Sequence, residues 1–459
     1  MLDAGAGDAR TPCMQRTRIL ILGAAGRDFH DFNTVFRDAP AFEVVGFTAT
    51  QIPGIEGRTY PAALAGSLYP QGLPIFREAE MERVIREHAV DEVVLSYSDL
   101  AHTTVMHLAS RALAAGAGFR MLPPRRTMLR SGRPVIAVCA VRTGCGKSQV
   151  ARAVARLARA AGRRVAVLRH PMPYGDLVAE RVQRFATIAD LDAAHVTIEE
   201  REDYEPHVAA GFVVFAGVDY AAILAAAEAE ADLVVWDGGN NDLPFLEPSL
   251  WITVLDPHRP GHETRYHPGE ANFRAADVLL VNKADTAASG AIEALRSAAA
   301  TYNPKARFVV ARSEITVDDP ELLRGKRVLV IEDGPTLTHG GMTFGAGTIA
   351  AQRLGAEIVD ARPSAVGRIA EVLHAYPHIG AALPAVGYSE QEVRDLEATV
   401  KRADCDAVLV ATPTDLSHVV RFEKPWTRAR YELADMGTPT LADVVKPWLE
   451  GLGAGGART

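Results

Sequence analysis

Eight consecutive residues of this 459-residue chain, Val141-Arg142-Thr143-Gly144-Cys145-Gly146-Lys147-Ser148, have the types and order needed to hold a polyphosphate. Successive backbone N–H groups can turn inward around phosphate oxygens only where side chains are small. A lysine placed next reaches the β- and γ-phosphates, and a hydroxyl after it can ligate Mg²⁺. Gly144 and Gly146 give the backbone freedom, Lys147 the charge and Ser148 the hydroxyl, while Thr143, Cys145 and Gln149 complete the nucleotide-contacting run. One position departs from the usual pattern, because Val141 stands where its first glycine would be. A bare glycine-rich turn is the plainer alternative, but an apolar run precedes the loop and a helical period comes after it. Cys145 reads as a small filler rather than a nucleophile, since no histidine lies near it in sequence to activate it.

Ligands of open parallel sheets sit outside the carboxyl ends of the strands, so residues just past each apolar run are candidates for the site. After Leu233–Trp236 comes Asp237-Gly238-Gly239-Asn240-Asn241-Asp242. Asp237 is placed to share Mg²⁺ with Ser148, directly or through water; an aspartate that only caps a turn is the alternative. After Val278–Val281 comes Asn282-Lys283-Ala284-Asp285, the spacing with which GTPases read a base. Asn282, Lys283 and Asp285 therefore read as base contacts, pointing to GTP without excluding ATP. After Arg164–Leu168 stand Arg169 and His170, and after Leu250–Leu255 stand His258, Arg259 and His262. Guanidinium forks and imidazole donors suit a phosphorylated or carboxylated substrate, although solvated loop charge is also open. His258 and His262 do not read as a metal pair, because Pro257, Pro260 and Gly261 destroy the helix on which they would converge. Glu332–Gly341, which contains Thr338 and His339, opens a helix whose free N–H groups can bind an anion or only make a turn.

The elements that must position these residues form a βα alternation, short β-branched runs followed by longer Ala/Leu/Arg-rich segments. The expected fold is α/β. It has a parallel-sheet P-loop core at 134–326, a Rossmann-like βα domain before it at 17–130, and a further α/β segment after it at 327–450. That last segment is either a separate domain or an extension of the central sheet. Residues 1–16 and 451–459 read as flexible tails. In the first block Gly23…Gly26 is a fragment of a dinucleotide fingerprint, open to a phosphorylated ligand through Arg27, Asp28, His30 and Asn33 or to a plain turn. On the helix after the phosphate loop, Arg152, Arg156, Arg159 and Arg163 read as a solvated face.

Composition narrows the classes. Apolar residues make up 48% and charged residues 23%, an ordinary globular balance. Lys plus Arg is 49 against 57 Asp plus Glu, a net charge of −8, so no global positive field invites nucleic acid. No apolar run is long enough to span a membrane, and the start of the chain lacks the apolar segment of a signal peptide. The four cysteines (Cys13, Cys139, Cys145, Cys405) form no disulfide framework or CxxC pair, so a reducing cytoplasm is expected.

The loop form Thr-Gly-x-Gly-Lys-Ser resembles that of dethiobiotin-synthetase-like and signal-recognition-type NTPases. Longer strings are more specific. Arg169-His170-Pro-Met-Pro-Tyr-Gly-Asp, Asp237-Gly-Gly-Asn-Asn-Asp, Asp256-Pro-His-Arg-Pro-Gly-His and Glu332-Asp-Gly-Pro-Thr-Leu-Thr-His-Gly-Gly-Met resemble the cyclic 2,3-diphosphoglycerate synthetase family. The resemblance runs from Gly26–Asn33 to Thr412-Pro-Thr-Asp-Leu416. It implies a P-loop ligase that closes 2,3-diphosphoglycerate into an intramolecular phosphoanhydride, using ATP and Mg²⁺ and releasing ADP and phosphate. Lys147, Ser148 and Asp237 would then place the nucleotide and its metal. Arg169, His170, His258, Arg259 and His262 would neutralise the small phosphorylated substrate, with Thr338 and His339 beside it. A homo-oligomer, a dimer, is expected, with no nucleic-acid or membrane partner. The alternative is a GTPase acting as a regulatory switch or metallochaperone, against which the absence of a Cys- or His-rich tract speaks.

Overall fold

The computed structural model describes residues 16–49, 57–170, 175–338, 340–387 and 389–454. Cys13, Pro171–Tyr174, His339 and most of both tails lie outside the described residues. The chain divides into two compact units. The first comprises the described residues up to Ser96 together with His107–Arg126; the second comprises Tyr97–Met106 and everything from Thr127 onward. Among the described residues, no helix is long and apolar enough to cross a membrane.

The first unit is built on a six-stranded sheet. Its five parallel strands, Thr17–Leu22, Phe42–Ala49, Leu73–Arg77, Glu92–Leu95 and Gly118–Met121, lie with the first at the centre. The second and third lie on one side of it and the fourth and fifth on the other. Thr59–Tyr60 closes one edge antiparallel to Leu73–Arg77. Ile19–Leu22 are fully buried, as a central strand covered on both faces requires. Phe29, Phe32, Phe47 and Tyr60 pack edge-on and tilted into one aromatic group over it. After the last of these strands the chain forms the short helix Pro124–Thr127.

The second unit carries a 13-stranded sheet. Around the buried strand Val135–Ala140, the strands Val213–Ala216, Val165–Arg169, Leu233–Asp237, Leu250–Leu255, Val278–Val281 and Arg307–Val317 run parallel. The segment beyond residue 327 continues this same sheet. Arg307–Val317 pairs antiparallel with Trp426–Asp435 over seven residues, from Ala311 opposite Asp435 to Val317 opposite Ala429. From Trp426–Asp435 the order runs parallel again, through Ala407–Ala411 to Arg327–Asp333. Two parallel halves are thus joined along one antiparallel seam.

The helix Lys147–Ala160 lays Val150, Val154 and Ala158 on the sheet. Of the arginines expected on a solvated face, Arg156 and Arg159 are exposed and Arg163 partly so, whereas Arg152 is not. Arg152 is buried with Nε 3.5 Å from Glu432, Arg156 bonds the same carboxylate at 3.0 Å, and Arg159 lies over the Phe212 ring at 4.4 Å. The strand that brings Glu432 to this helix is an element that periodicity alone does not reveal.

Candidate active site

The phosphate loop lies between Val135–Ala140 and the helix Lys147–Ala160, with Gly144 and Gly146 at φ +81° and +90°. A Cβ on Gly146 would stand 2.2 Å from Asn282 Nδ2, so glycine is required there by contact as well as by backbone angle. Asn282 Nδ2 donates to the Cys145 carbonyl at 3.2 Å, and Lys283 Nζ donates to the Gly144 carbonyl. These two residues therefore hold the loop from behind. Asp285 pairs with Arg353 at 3.1 Å. Gln149 Oε1 accepts from the Ser313 hydroxyl at 3.1 Å, and its Nε2 lies 3.5 Å from where a Cβ of Gly146 would stand. Cys145 is buried, which pushes its thiol up to about 11, in keeping with a filler.

Asp237 ends its strand as the centre of a buried charge group. Lys147 Nζ lies 2.6 Å from Oδ1, Arg169 Nη1 lies 3.0 Å from the same oxygen, and His207 Nε2 lies 2.8 Å from Oδ2. Burial alone would raise the Asp237 pKa. The Arg169 and Lys147 charges and the His207 hydrogen bond outweigh it and hold the carboxyl well below its usual range. Burial, then the charge of Arg169, presses Lys147 below its ordinary pKa against the pull of Asp237. His207 is lowered by its own burial, so it stays neutral and donates through Nε2.

Both Asp237 oxygens are engaged, so as a direct Mg²⁺ ligand this residue does not fit as it stands. Ser148, partly exposed in the first turn of the loop helix, does fit. Among the described residues there is no group of three or more His, Cys, Asp or Glu that could hold a metal.

The arginines expected to face substrate turn to the protein instead. Arg169 donates to the carbonyls of Asp237 and Gly238 at 2.9 and 3.1 Å and pairs with Asp203. Arg259 donates to Thr143 O at 2.7 Å, to Gly340 O, and to Asp256 at 2.8 Å. Both arginines brace the loop and the strand ends. His170 Nδ1 lies 2.9 Å from Asp242, and its ring fills the space that a Cβ on Gly239 would need. His258 Nε2 and the Thr286 hydroxyl are 2.9 Å apart, whereas His262 Nδ1 accepts from Arg142 Nη1 at 2.7 Å; the two rings serve different partners. Burial, followed by Arg142 and Arg259, pushes His262 down to about 4, so at neutral pH it is an acceptor. The Thr338 hydroxyl donates within its own turn, to Gly334 O at 2.9 Å.

The helix start at Ala346, open to an anion or to a plain turn from the sequence, is occupied by the chain's own carboxyl. Glu332 accepts from the N–H groups of Gly345, Gly347 and Thr348 at 3.1, 3.2 and 2.7 Å. Burial nevertheless raises Glu332 to about 7.

Sequence reasoning missed several participants. Asp99 Oδ1 lies 2.6 Å from Arg142 Nε, and its Oδ2 accepts from the Thr143 amide at 3.1 Å. Asp99 is held at φ +61°, with its own N–H donating to Asn241 at 2.8 Å. The two-residue ribbon of Leu100–Ala101 against Tyr266–His267 fixes this segment within the second unit. Asp99 comes four residues after the apolar run ending at Leu95, so the strand-end rule that found Asp237 is the signal that could have flagged it. The helix Ile198–Ala209, which supplies Asp203 and His207, was also missed; Glu199, Glu200, Arg201, Glu202, Glu205 and His207 are all buried in it.

No family model matches the chain. Among proteins of known name, the chain is 58% identical over 435 residues to "Arginine synthetase ArcE" of Thermococcus kodakarensis, covering 95% of this chain and 97% of that one. It is 32% identical over 243 residues to "Tetraacyldisaccharide 4'-kinase" of Anaeromyxobacter sp., covering 48% and 63%. Among solved structures, LpxK of Aquifex aeolicus in complex with ATP matches with a TM-score of 0.42 at 13% identity, over 70% of this chain and 90% of that one.

The near-full-length match overturns the resemblance to cyclic 2,3-diphosphoglycerate synthetases and the ring-closing reaction drawn from it, and it gives the GTPase alternative no support. The strings that carried the resemblance explain the error. Arg259 grips the Thr143 carbonyl and Thr336 lies against Gly144, so these residues build the cradle of the phosphate loop and carry little information about what is phosphorylated beside it.

Proposed function

The chain belongs to the family of the arginine synthetase ArcE, and from that premise we propose that it is an ATP-dependent ligase whose product is arginine. The observation that carries this reading is the 58% identity over 95% of the chain. Making a guanidino group in water requires an oxygen on its carbon to leave, and phosphoryl transfer turns that oxygen into a leaving group. Such catalysis is chiefly positioning and charge stabilisation, which the loop residues are suited to supply.

Lys147 and Gly144–Ser148 take the phosphates in this reading, with Lys147 exchanging its contact with Asp237 for the β- and γ-oxygens. Asp237 stays anchored by Arg169 and His207 and returns Lys147 to place when the nucleotide leaves. The Ser148 hydroxyl is the residue that would hold the Mg²⁺ accompanying ATP; the ion would neutralise phosphate charge. Asn282 and Lys283 keep the loop in the shape that accepts phosphates, and Asp285 is left as the base contact. Arg169 and Arg259 act by positioning. The test is mass-spectrometric detection of arginine formed with release of ADP and phosphate when purified protein, ATP, Mg²⁺ and candidate amino-acid precursors with ammonium are combined. Hydrolysis of ATP without formation of arginine from any precursor would refute the product assignment.

A further inference from the structure

The helix Ile198–Ala209 buries an unusual amount of charge, and nearly all of it is matched from within. Arg201 pairs with Glu205 at 3.2 Å and with Asp192, and Glu200 closes a capping box with Thr197. Asp203 pairs with Arg169 and His207 with Asp237. Glu205 also accepts from the Asp415 amide at 2.8 Å.

Glu202 is the exception. It is 5% exposed, and among the described residues no N–H or hydroxyl donates to its buried carboxyl oxygens; the partner they meet is another carboxyl. What faces it is a second acid, Asp333, at the carboxyl end of Arg327–Asp333; burial and then this neighbour push Glu202 well above its usual range. Asp333 is half-buried, and its Oδ2 accepts from the Thr336 amide at 3.1 Å and from the Thr336 hydroxyl. Thr336 in turn lies against the phosphate loop, its methyl 3.2 Å from where a Cβ of Gly144 would be. Two carboxyls that meet on the wall of the phosphate loop hold a proton between them, and a cation or multiple N–H donor is the kind of group that can take that proton's place. A guanidinium offers paired N–H donors on more than one edge in a fixed plane, the shape that two carboxyl groups accept together.

We propose that Glu202 and Asp333 together seat the guanidino end of the product beside the phosphate loop. The assignment rests on arginine being the product and extends that reading by naming the residues that recognise it. The seat places the guanidino carbon next to the transferred phosphoryl group and leaves the amino-acid end to point away from the loop.

The experiment is calorimetric titration of the full-length protein with L-arginine in the presence of ADP and Mg²⁺. L-norvaline, the same side chain without its guanidino group, is the control, and titration with ATP is run alongside. Glu202→Gln and Asp333→Asn are each expected to weaken arginine at least tenfold and to leave ATP binding within twofold of wild type. Glu202→Gln replaces a buried acid whose neighbour is another acid with an amide that can donate to Asp333, so its melting temperature is expected to equal or exceed that of wild type. Asp333→Asn, at the half-buried side, provides a second reading if the first variant does not fold. Arginine bound equally by wild type and both variants would overturn the seat while leaving the product assignment standing. A wild-type protein that neither binds nor forms arginine would overturn both, and the two failures are told apart by the wild-type titration alone.

Discussion

The two units each carry a glycine-marked turn at the end of their central strand, and the two turns meet opposite fates. In the first unit Gly23-Ala24-Ala25-Gly26 comes directly after Thr17–Leu22, with Gly23 at φ +111°. The N–H groups that could bind an anion there are already taken. Asp28 Oδ1 accepts from Ala25, Gly26 and Phe29 at 2.7, 3.0 and 2.8 Å, and the helix behind it runs Arg27–Asp31 and passes into a π-helical stretch at Phe32–Phe36. In the second unit the turn opens a helix of 14 residues with no side-chain cap on its first N–H groups. A carboxylate, Asp99, reaches the Thr143 amide at its entrance, and a lysine waits inside. The lesson is that glycines license a turn to hold an anion, while the carboxylates the chain itself supplies decide whether the anion comes from outside. Glu332, seated on the helix start at Ala346, repeats the first case.

The largest test of this contrast is Lys147→Ala, expected to lower ATP turnover about a thousandfold by removing a charge aimed at the transferred phosphoryl group. Steady-state phosphate release measures it, and wild-type turnover would sink the role given to this loop. Next comes Asp99→Ala, which takes the carboxylate from the buried Arg142 guanidinium and leaves it with uncharged partners such as His262 and the Gly340 carbonyl. A loss of about 3 kcal/mol in urea unfolding is expected, the size typical of a buried pair broken on one side.

Gly146→Ala should weaken ATP about a hundredfold, through a Cβ that meets Asn282 and a backbone angle that alanine resists. Equilibrium binding of a fluorescent ATP analogue reads it. In the first unit, Asp28→Ala should cost only about 1–2 kcal/mol, the usual cost of a lost cap, and should create no phosphate binding. A ³¹P line that broadens on this variant and not on wild type would break the contrast.

A separate effect is one of pH. Burial raises Asp28 from 3.8 to about 7 in spite of the N–H groups it accepts from. The folded chain thus keeps a proton that the unfolded chain has released, so this group's contribution to stability falls as pH rises from about 4 to about 7. Asp28→Asn should remove its share of that slope, read as the wild-type-minus-variant difference in unfolding free energy across the window. A difference that is flat or that grows with pH would show the carboxylate to be ionised in place.

Much of the frame was legible because fully buried parallel strands spell themselves as short apolar runs. Leu250–Leu255, Val278–Val281 and Ala407–Ala411 have the bounds their composition suggests. Trp426–Asp435 was not legible. It is half-covered and carries Arg428, Arg430, Glu432 and Asp435, so no apolar run marks it, and within its long partner Arg307–Val317 the apolar run is limited to Phe308–Ala311. The helix Ile198–Ala209 was illegible for a related reason. Its charges read as solvated, and only tertiary partners such as Arg169 and Asp237, distant along the chain, make their burial tolerable. Within the site, the loop, Asp237 and Asn282–Lys283 were found because each stands at the end of an apolar strand. The arginine and histidine loops were found as well, but their partners were not, because whether a guanidinium faces a ligand or a carbonyl depends on what the rest of the chain brings to it.

The antiparallel seam has a consequence for how the protein comes into being. Trp426–Asp435 joins the two halves of the large sheet, and Leu441, Val444, Val445 and Leu449 of the helix after it enter the same core as the phosphate-loop helix. On the ribosome these residues are made after the loop they support, by nearly three hundred codons in the order of the chain. The nascent nucleotide cradle must therefore wait, with its backing surface bare, until the last strand and helix emerge to cover it. A message truncated before codon 426 would leave that surface open and give quality-control proteases a target, even though every residue of the cradle had already been synthesised.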